Sequence, residues 1–342
     1  MSYTGLRECV DSAAGRCWTG YLIPRRQGSI NGSVRGPLLI VIIAAVACVG
    51  AGLFLWWPAD RAAPSPLRLG INPWPGYEAL FLANQHGLFH KHGLKVQLVE
   101  FTSLGDCLRG YQEGNIDAMA STLIEVALAE INSAQGPPVP ILVTDASEGA
   151  DFILAKPTVK SVAELKGRRI GVEPASLGIF ILDRALDRHG LTRADVIPTP
   201  MGQEELRSAL ASDTVSAVVT YAPYSVEILK DGAVPLFTTR EIPEEVMDTV
   251  SISPAALKRF PGVADAFVAV WADAMTIFEK DRDESIAAMA ARQRITPAEF
   301  LESLNGLRLI PAHEQKALLA PGGSLQQSLE LVRKALDAQR VR

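Results

Sequence analysis

Two stretches of this 342-residue chain follow nearly the same plan. RLGINPWPGYEALFLANQHGL (68–88) and RIGVEPASLGIFILDRALDRHGL (169–191) each begin with a basic residue and place Gly behind an apolar strand residue. Each then passes through an acidic or amide residue and Pro to a turn containing Gly, and runs through a helix to His-Gly-Leu. A second echo sets IDAMAST (116–122) against VSAVVTY (215–221), where a short buried strand ends in hydroxyl residues ahead of a helix. Strand-Gly-helix grammar is common to α/β chains, but two echoes in the same order predict two similar α/β lobes facing each other. Size agrees, because some 280 residues are at the upper limit for a single core.

The rest of the chain fits that plan. LRLGIN (67–72) precedes a helical stretch near 77–90, LKVQLVEF (94–101) precedes one near 104–113, and IDAMA (116–120) precedes one at 122–133. VPILVTDA (139–146) follows a Gly-Pro-Pro turn. Such alternation predicts a parallel sheet with helices on both faces. From about 253 onward no strand is expected, only helices at 264–280, 283–292, 297–304 and 324–339, which would pack back on the first lobe. The expected division is 67–150 plus 247–342 for lobe 1 and 151–246 for lobe 2, with the chain crossing between them twice.

Ahead of the lobes, LLIVIIAAVACVGAGLFLWW (38–57) holds no charge over twenty positions. As a helix rising 1.5 Å per residue it would be roughly 30 Å long, the hydrocarbon thickness of a bilayer. Residues 1–36 carry five Arg against Glu8 and Asp11, a surplus of three in a chain of net charge −5. Positive flanks stay cytoplasmic, so a basic tail (1–36), a transmembrane anchor (37–57) and a Pro/Ala linker (58–66) are expected, N-in and C-out. A cleaved signal peptide, or lipidation at Cys48, is the rival reading. Of four cysteines only Cys107 lies beyond the anchor, so no internal disulfide supports the exported part.

No P-loop, HExxH, CxxC or GxSxG motif occurs, and no basic stripe that would neutralise nucleic-acid phosphates is present. His86, His90 and His92 resemble a metal cluster, but they fall where a helix ends in a Gly-rich turn, where basic side chains are favoured anyway. Asp281, Asp283 and Glu284 read as a solvated helix start. Neither a catalytic group, a metal nor a cofactor is expected. What remains is a set of polar and aromatic residues at the carboxyl ends of predicted strands, where α/β sheets bind ligands. These are Trp74, Gly76 and Tyr77, then Thr102 and Ser103, then Ser121 and Thr122, and Asp145. In the second lobe they are Ser176, Gly178, Tyr221 and Tyr224. Ser176 can cap the helix it precedes while free N–H groups point at an anionic or polar group. Trp74 and Tyr221 can supply flat apolar walls with a polar edge.

Residues 66 to about 315 resemble the solute-binding proteins of ABC importers for nitrate, taurine and other sulfonates, a family that includes thiamine-precursor pyrimidine binders. The resemblance is carried by GINPWPGYEALFLANQHGLF, the GL-V-V-F run of 93–101, EGNIDAMAST and SVAELKGRRIGVEPASLG. It implies a two-lobed periplasmic-binding-protein fold of type II. It also implies a periplasmic location, an ABC permease with its ATPase as partner, and a cleft lined by Ser176 and the 74–77 loop, with Thr122 and Tyr221 facing the ligand. A Cys-rich motif of the related pyrimidine synthases is absent. If they line the cleft, Asp145, Glu148 and Asp151 near the expected crossover would repel a simple anion such as nitrate. The expected solute is a small polar organic molecule: a sulfonate, an amine or zwitterion, or a pyrimidine-like heterocycle. A tethered sensory module and a chorismate-dehydratase-like enzyme are the alternatives.

Overall fold

The computed structural model describes residues 65–341, and the expected tail, anchor and Cys48 lie outside the described residues. None of the described helices is long and apolar enough to cross a membrane. The strands in chain order are β1 (Leu67–Ile71), β2 (Val96–Glu100), β3 (Ala118–Thr122), β4 (Val139–Ser147), β5 (Asp151–Ala155) and β6 (Arg169–Val172). They continue with β7 (Ile197–Pro200), β8 (Ala217–Tyr221), β9 (Val234–Thr238), β10 (Met247–Ile252) and β11 (Leu307–Leu309).

Two sheets result, one ordered β11-β4-β10-β3-β1-β2 and the other β7-β6-β8-β5-β9. In the first, β2, β1 and β3 run parallel while β10 and β4 are antiparallel. In the second, β7, β6 and β8 run parallel while β5 and β9 are antiparallel. The paired echoes in the sequence are therefore β1 with β6 and β3 with β8, holding the same place in each sheet. β4 leads directly to β5 across the gap, and β9 leads back to β10, so the fold is a two-lobed α/β structure. The crossings are tied to each other: Ser147 Oγ lies 2.7 Å from Thr239 Oγ1, which also accepts from Gly149 N at 2.8 Å.

Local chemistry explains the elements. Gly87 and Gly190 adopt φ of 66° and 70° directly after their helices, the left-handed turn that Gly makes at no steric cost. The helix Leu123–Asn132 starts with a capping box, Thr122 and Glu125 each satisfying the other's backbone N–H group. The C-terminal helices do pack on the first lobe. Trp271 of Val263–Lys280 is buried and donates Nε1–H to Ile310 O at 2.7 Å. Arg333 of Ser324–Val341 pairs with Glu130 at 2.8 Å, and Arg292 closes on the buried Glu78.

The strand β11 corrects the expectation that none follows 253. It spans three residues against β4, too few for an alternating pattern to show in the sequence. The histidines also part company: His92 Nε2 lies 2.7 Å from Asp273, and the described residues include no cluster of His, Cys, Asp or Glu suited to a metal.

Candidate functional site

Register decides which side chains meet between the lobes. In the first sheet Asp248 of β10 stands opposite both Thr122 of β3 and Asp145 of β4, so all three project from one row. In the second, Asp151 of β5 stands opposite Tyr221 of β8. The loop after β1 brings Trp74 and Tyr77 onto the first row: Trp74 donates Nε1–H to Asp145 Oδ1 at 3.2 Å, and the Tyr77 hydroxyl donates to Asp248. Gly76 is required there. A Cβ on it would lie 2.0 Å from Asp145 Oδ2 and 2.8 Å from Trp74 Nε1.

A buried carboxylate joins the lobes. Glu125 rises from the first turn of Leu123–Asn132 in the first lobe and is fully buried. Its Oε2 accepts from Thr122 N at 3.1 Å and Thr122 Oγ1 at 2.5 Å. Its Oε1 accepts from Ser176 Oγ at 2.8 Å and Leu177 N at 2.9 Å, both in the second lobe. Glu125 therefore sits on the N-terminus of the helix Leu177–Arg188, where free N–H groups and the helix dipole favour negative charge. Ser176 holds the N-cap position in extended conformation but makes no cap hydrogen bond, contrary to expectation, because its hydroxyl turns to Glu125 instead.

Further contacts cross the gap. Gly105 N donates to Glu173 Oε1 at 3.0 Å, and the Tyr224 hydroxyl donates to Thr102 O at 2.8 Å. Trp74 and Tyr221 meet edge to face at 5.8 Å between ring centroids, and Tyr221 meets Tyr224 at 6.0 Å. Among the proposed site residues, Thr102 is exposed and contributes its carbonyl, its hydroxyl going to Asp106. Ser103 caps the helix Leu104–Gln112 by accepting from Asp106 N at 3.2 Å. Ser121 is buried with its hydroxyl unpartnered. Gly178 lies in the first turn of the helix Leu177–Arg188, where a Cβ would crowd Val172 Cγ2 at 3.1 Å, so its small size also serves helix–strand packing. Glu148 is exposed and pairs with Arg308 at 3.4 Å, so it does not line the gap.

Electrostatically the site is one-sided. Glu125, Asp145, Asp151, Glu173 and Asp248 are all buried, while no Lys, Arg or His is buried among the described residues. Burial, opposed by hydrogen bonds from Thr144 and Trp74, pushes Asp145 up to about 7. Asp151 is pushed up to about 7 by burial as well, against its bond from Ser147, and with repulsion from Asp145 adding to the rise. Burial and the neighbouring Asp145 also raise Asp248. Sequence reading missed Glu125 and Asp248. Thr122 and Glu125 are spaced as a capping box, which was legible, but the reach to the other lobe was not. Asp248 inside the strand MDTVSI was the available signal, since a carboxylate on a central strand needs partners.

Comparisons with known proteins agree with this architecture. An Escherichia coli K12 protein, provisionally named an aliphatic sulfonates-binding protein, is 27% identical over 274 residues, covering 79% of this chain and 83% of its own. The alkanesulfonate-binding protein SsuA of Xanthomonas axonopodis bound to MOPS superposes with a TM-score of 0.69 at 22% identity, covering 82% of this chain and 94% of that one. The periplasmic aliphatic sulphonate binding protein SsuA of Escherichia coli gives 0.66 at 21% identity with the same coverage. These relatives are binding proteins. DszB with biphenyl-2-sulfinic acid shares the fold at a TM-score of 0.58. The NMT1-like family model matches residues 60–293, and this chain is a member of that family.

Proposed function

We propose that the chain is the substrate-binding component of an ABC importer, capturing a small polar organic solute between its lobes. The observation that carries this is the Glu125 clasp, a buried carboxylate of one lobe held by Ser176 and Leu177 of the other inside a wall of Trp74, Tyr221 and Tyr224. Two α/β lobes joined by two tied crossings form a hinge, and a solute that bridges both lobes gains its full contacts only when they are closed. The permease would then read the closed shape. Trp74, Gly76, Tyr77, Ser121, Thr122, Asp145, Ser176, Tyr221 and Tyr224 form the solute site, with Ser103 and the Thr102 carbonyl at its rim. The relatives' periplasmic setting supports the same location here, and the uncharged run 38–57 behind a basic flank supports a tether in the inner membrane.

The test is native mass spectrometry of the full-length chain, extracted gently in detergent from its own membranes. One small molecule per chain is expected, lost in Trp74→Ala. Uptake of that molecule by intact cells should also vanish when the gene is deleted. A chain that retains nothing, and whose deletion leaves uptake of every candidate unchanged, would overturn the reading.

A further inference from the structure

The related proteins take sulfonates, yet the chemistry of this site is reversed. A sulfonate offers only acceptor oxygens and a negative charge, so a site for it needs buried donors or cations. Here the helix N-terminus that could serve an anion is already filled by Glu125, whose four accepted hydrogen bonds leave neither Ser176 Oγ nor Leu177 N free. Of the buried polar atoms without partners, Ser121 Oγ, Gln203 Nε2 and the Tyr221 hydroxyl can donate. The charged ones, Asp248 Oδ2 and Asp151 Oδ1, and also Asn72 Oδ1, only accept, and all three lie on residues at most 2% exposed. Tyr221, 4% exposed, is the independent sign of a ligand. Its hydroxyl faces the Leu104 N–H and the carboxylates of Glu173 and Glu125 without a well-formed hydrogen bond, while its ring stands between Trp74 and Tyr224. Buried carboxylates beside aromatic rings are surroundings that stabilise an organic cation, through charge and through the ring quadrupole.

Resting on the importer reading, we infer that the solute is a small organic cation bearing N–H donors, an ammonium or amidinium. Asp145 and Asp248 form its counter-charge, Tyr221 and Trp74 its walls, and Glu125 shuts the helix N-terminus against anions. Of the Asp145–Asp248 pair, side by side on adjacent strands, Trp74 and Thr144 occupy both Asp145 oxygens and Tyr77 occupies one oxygen of Asp248, which leaves Asp248 Oδ2 to accept an N–H of the cation.

Calorimetry on the full-length chain in detergent at pH 7.5 tests this with three probes: benzamidine, butylammonium and butanesulfonate, the last two matched in size and opposite in charge. At least one of the two cations should bind, and butanesulfonate should not. Asp145→Asn and Asp248→Asn should each weaken the cation at least tenfold, with folding checked by thermal melting, while Glu113→Gln on the exposed surface should leave it unchanged. Glu125→Gln should admit butanesulfonate measurably. Butanesulfonate binding to the unaltered chain as tightly as the cations, cation binding indifferent to both Asp substitutions, or no cation binding would each overturn the inference. Sulfonate binding that disappears in Trp74→Ala would do so while leaving the importer reading intact.

Discussion

Asp145→Asn in the ligand-free protein isolates the energetic consequence of crowding carboxyl groups between the lobes. Asp145 is wholly buried, packed against Trp74, Thr144, Asp248 and the Gly76 backbone, with Tyr77, Asp151 and Glu125 also acting on the same cluster. Burial raises it to about 7, whereas an unfolded Asp titrates near ~3.9. Between those values the folded chain holds a proton that the unfolded chain has released. Its contribution to stability is therefore complete below about pH 4 and is lost as pH rises through about 7, at about 1.4 kcal/mol per pH unit. Asp151 behaves alike, so these two groups alone should lower the wild type's stability by about 2.7 kcal/mol per pH unit near the middle of that window. Asp145 and Asp248 titrate as a pair, and removing one member deletes one proton from the pair's count. The variant's slope should accordingly be smaller by about 1.4 kcal/mol per pH unit. Groups held down by cations, such as Asp273 bonded to Lys91 and His92, lose their contribution only as pH falls below the ordinary carboxylate range, outside this window. Urea unfolding at pH 5, 6 and 7, with the denaturant slope confirmed equal, measures the difference. Parallel pH profiles for wild type and variant would refute the reasoning.

Four further outcomes are expected. Gly76→Ala should displace Asp145 and destabilise the fold by about 1–3 kcal/mol, read from urea midpoints; an unchanged midpoint would mean that the 2.0 Å encounter is relieved elsewhere. Ser176→Ala should remove a hydrogen bond to a charged partner, worth about 1.5–3 kcal/mol, so the Leu177 amide should exchange hydrogen faster while amides of β6 keep their protection. Arg292→Ala should cost about 3–5 kcal/mol by leaving the buried Glu78 without its cation, whereas Arg308→Ala on the surface should cost under about 1 kcal/mol. Trp271→Phe should orphan the Ile310 carbonyl and cost about 1–3 kcal/mol, visible as a lowered melting temperature.

The lobes were legible because their signal is repeated and local. The strand-turn-helix units at 68–88 and 169–191 each carry their own Gly turn and amphipathic helix, so β1 and β6 needed no tertiary information. Trp74 and Ser176 were picked out by their places at strand ends, and both make contacts between the lobes there. Glu125 and Asp248 were not, since their roles depend on partners 51 and 171 residues away in sequence. Gly178 shows a related limit of local reading: Gly after a strand serves close packing as readily as ligand approach, and its closeness to Val172 emerged only from the fold. The three residues of β11 pair only because β4 extends to Ser147 and leaves its edge free for them.

Whether the lobes pinch a solute can be measured directly. Spin labels at Glu113→Cys in the first lobe and Arg188→Cys in the second, both exposed, report the separation by pulsed electron resonance in a chain whose Cys9, Cys17 and Cys48 are serine. Stripped protein should show a broad or longer distribution, and the retained solute should collapse it to one short, narrow distance. A distribution identical with and without that solute would contradict a hinge that closes on its cargo.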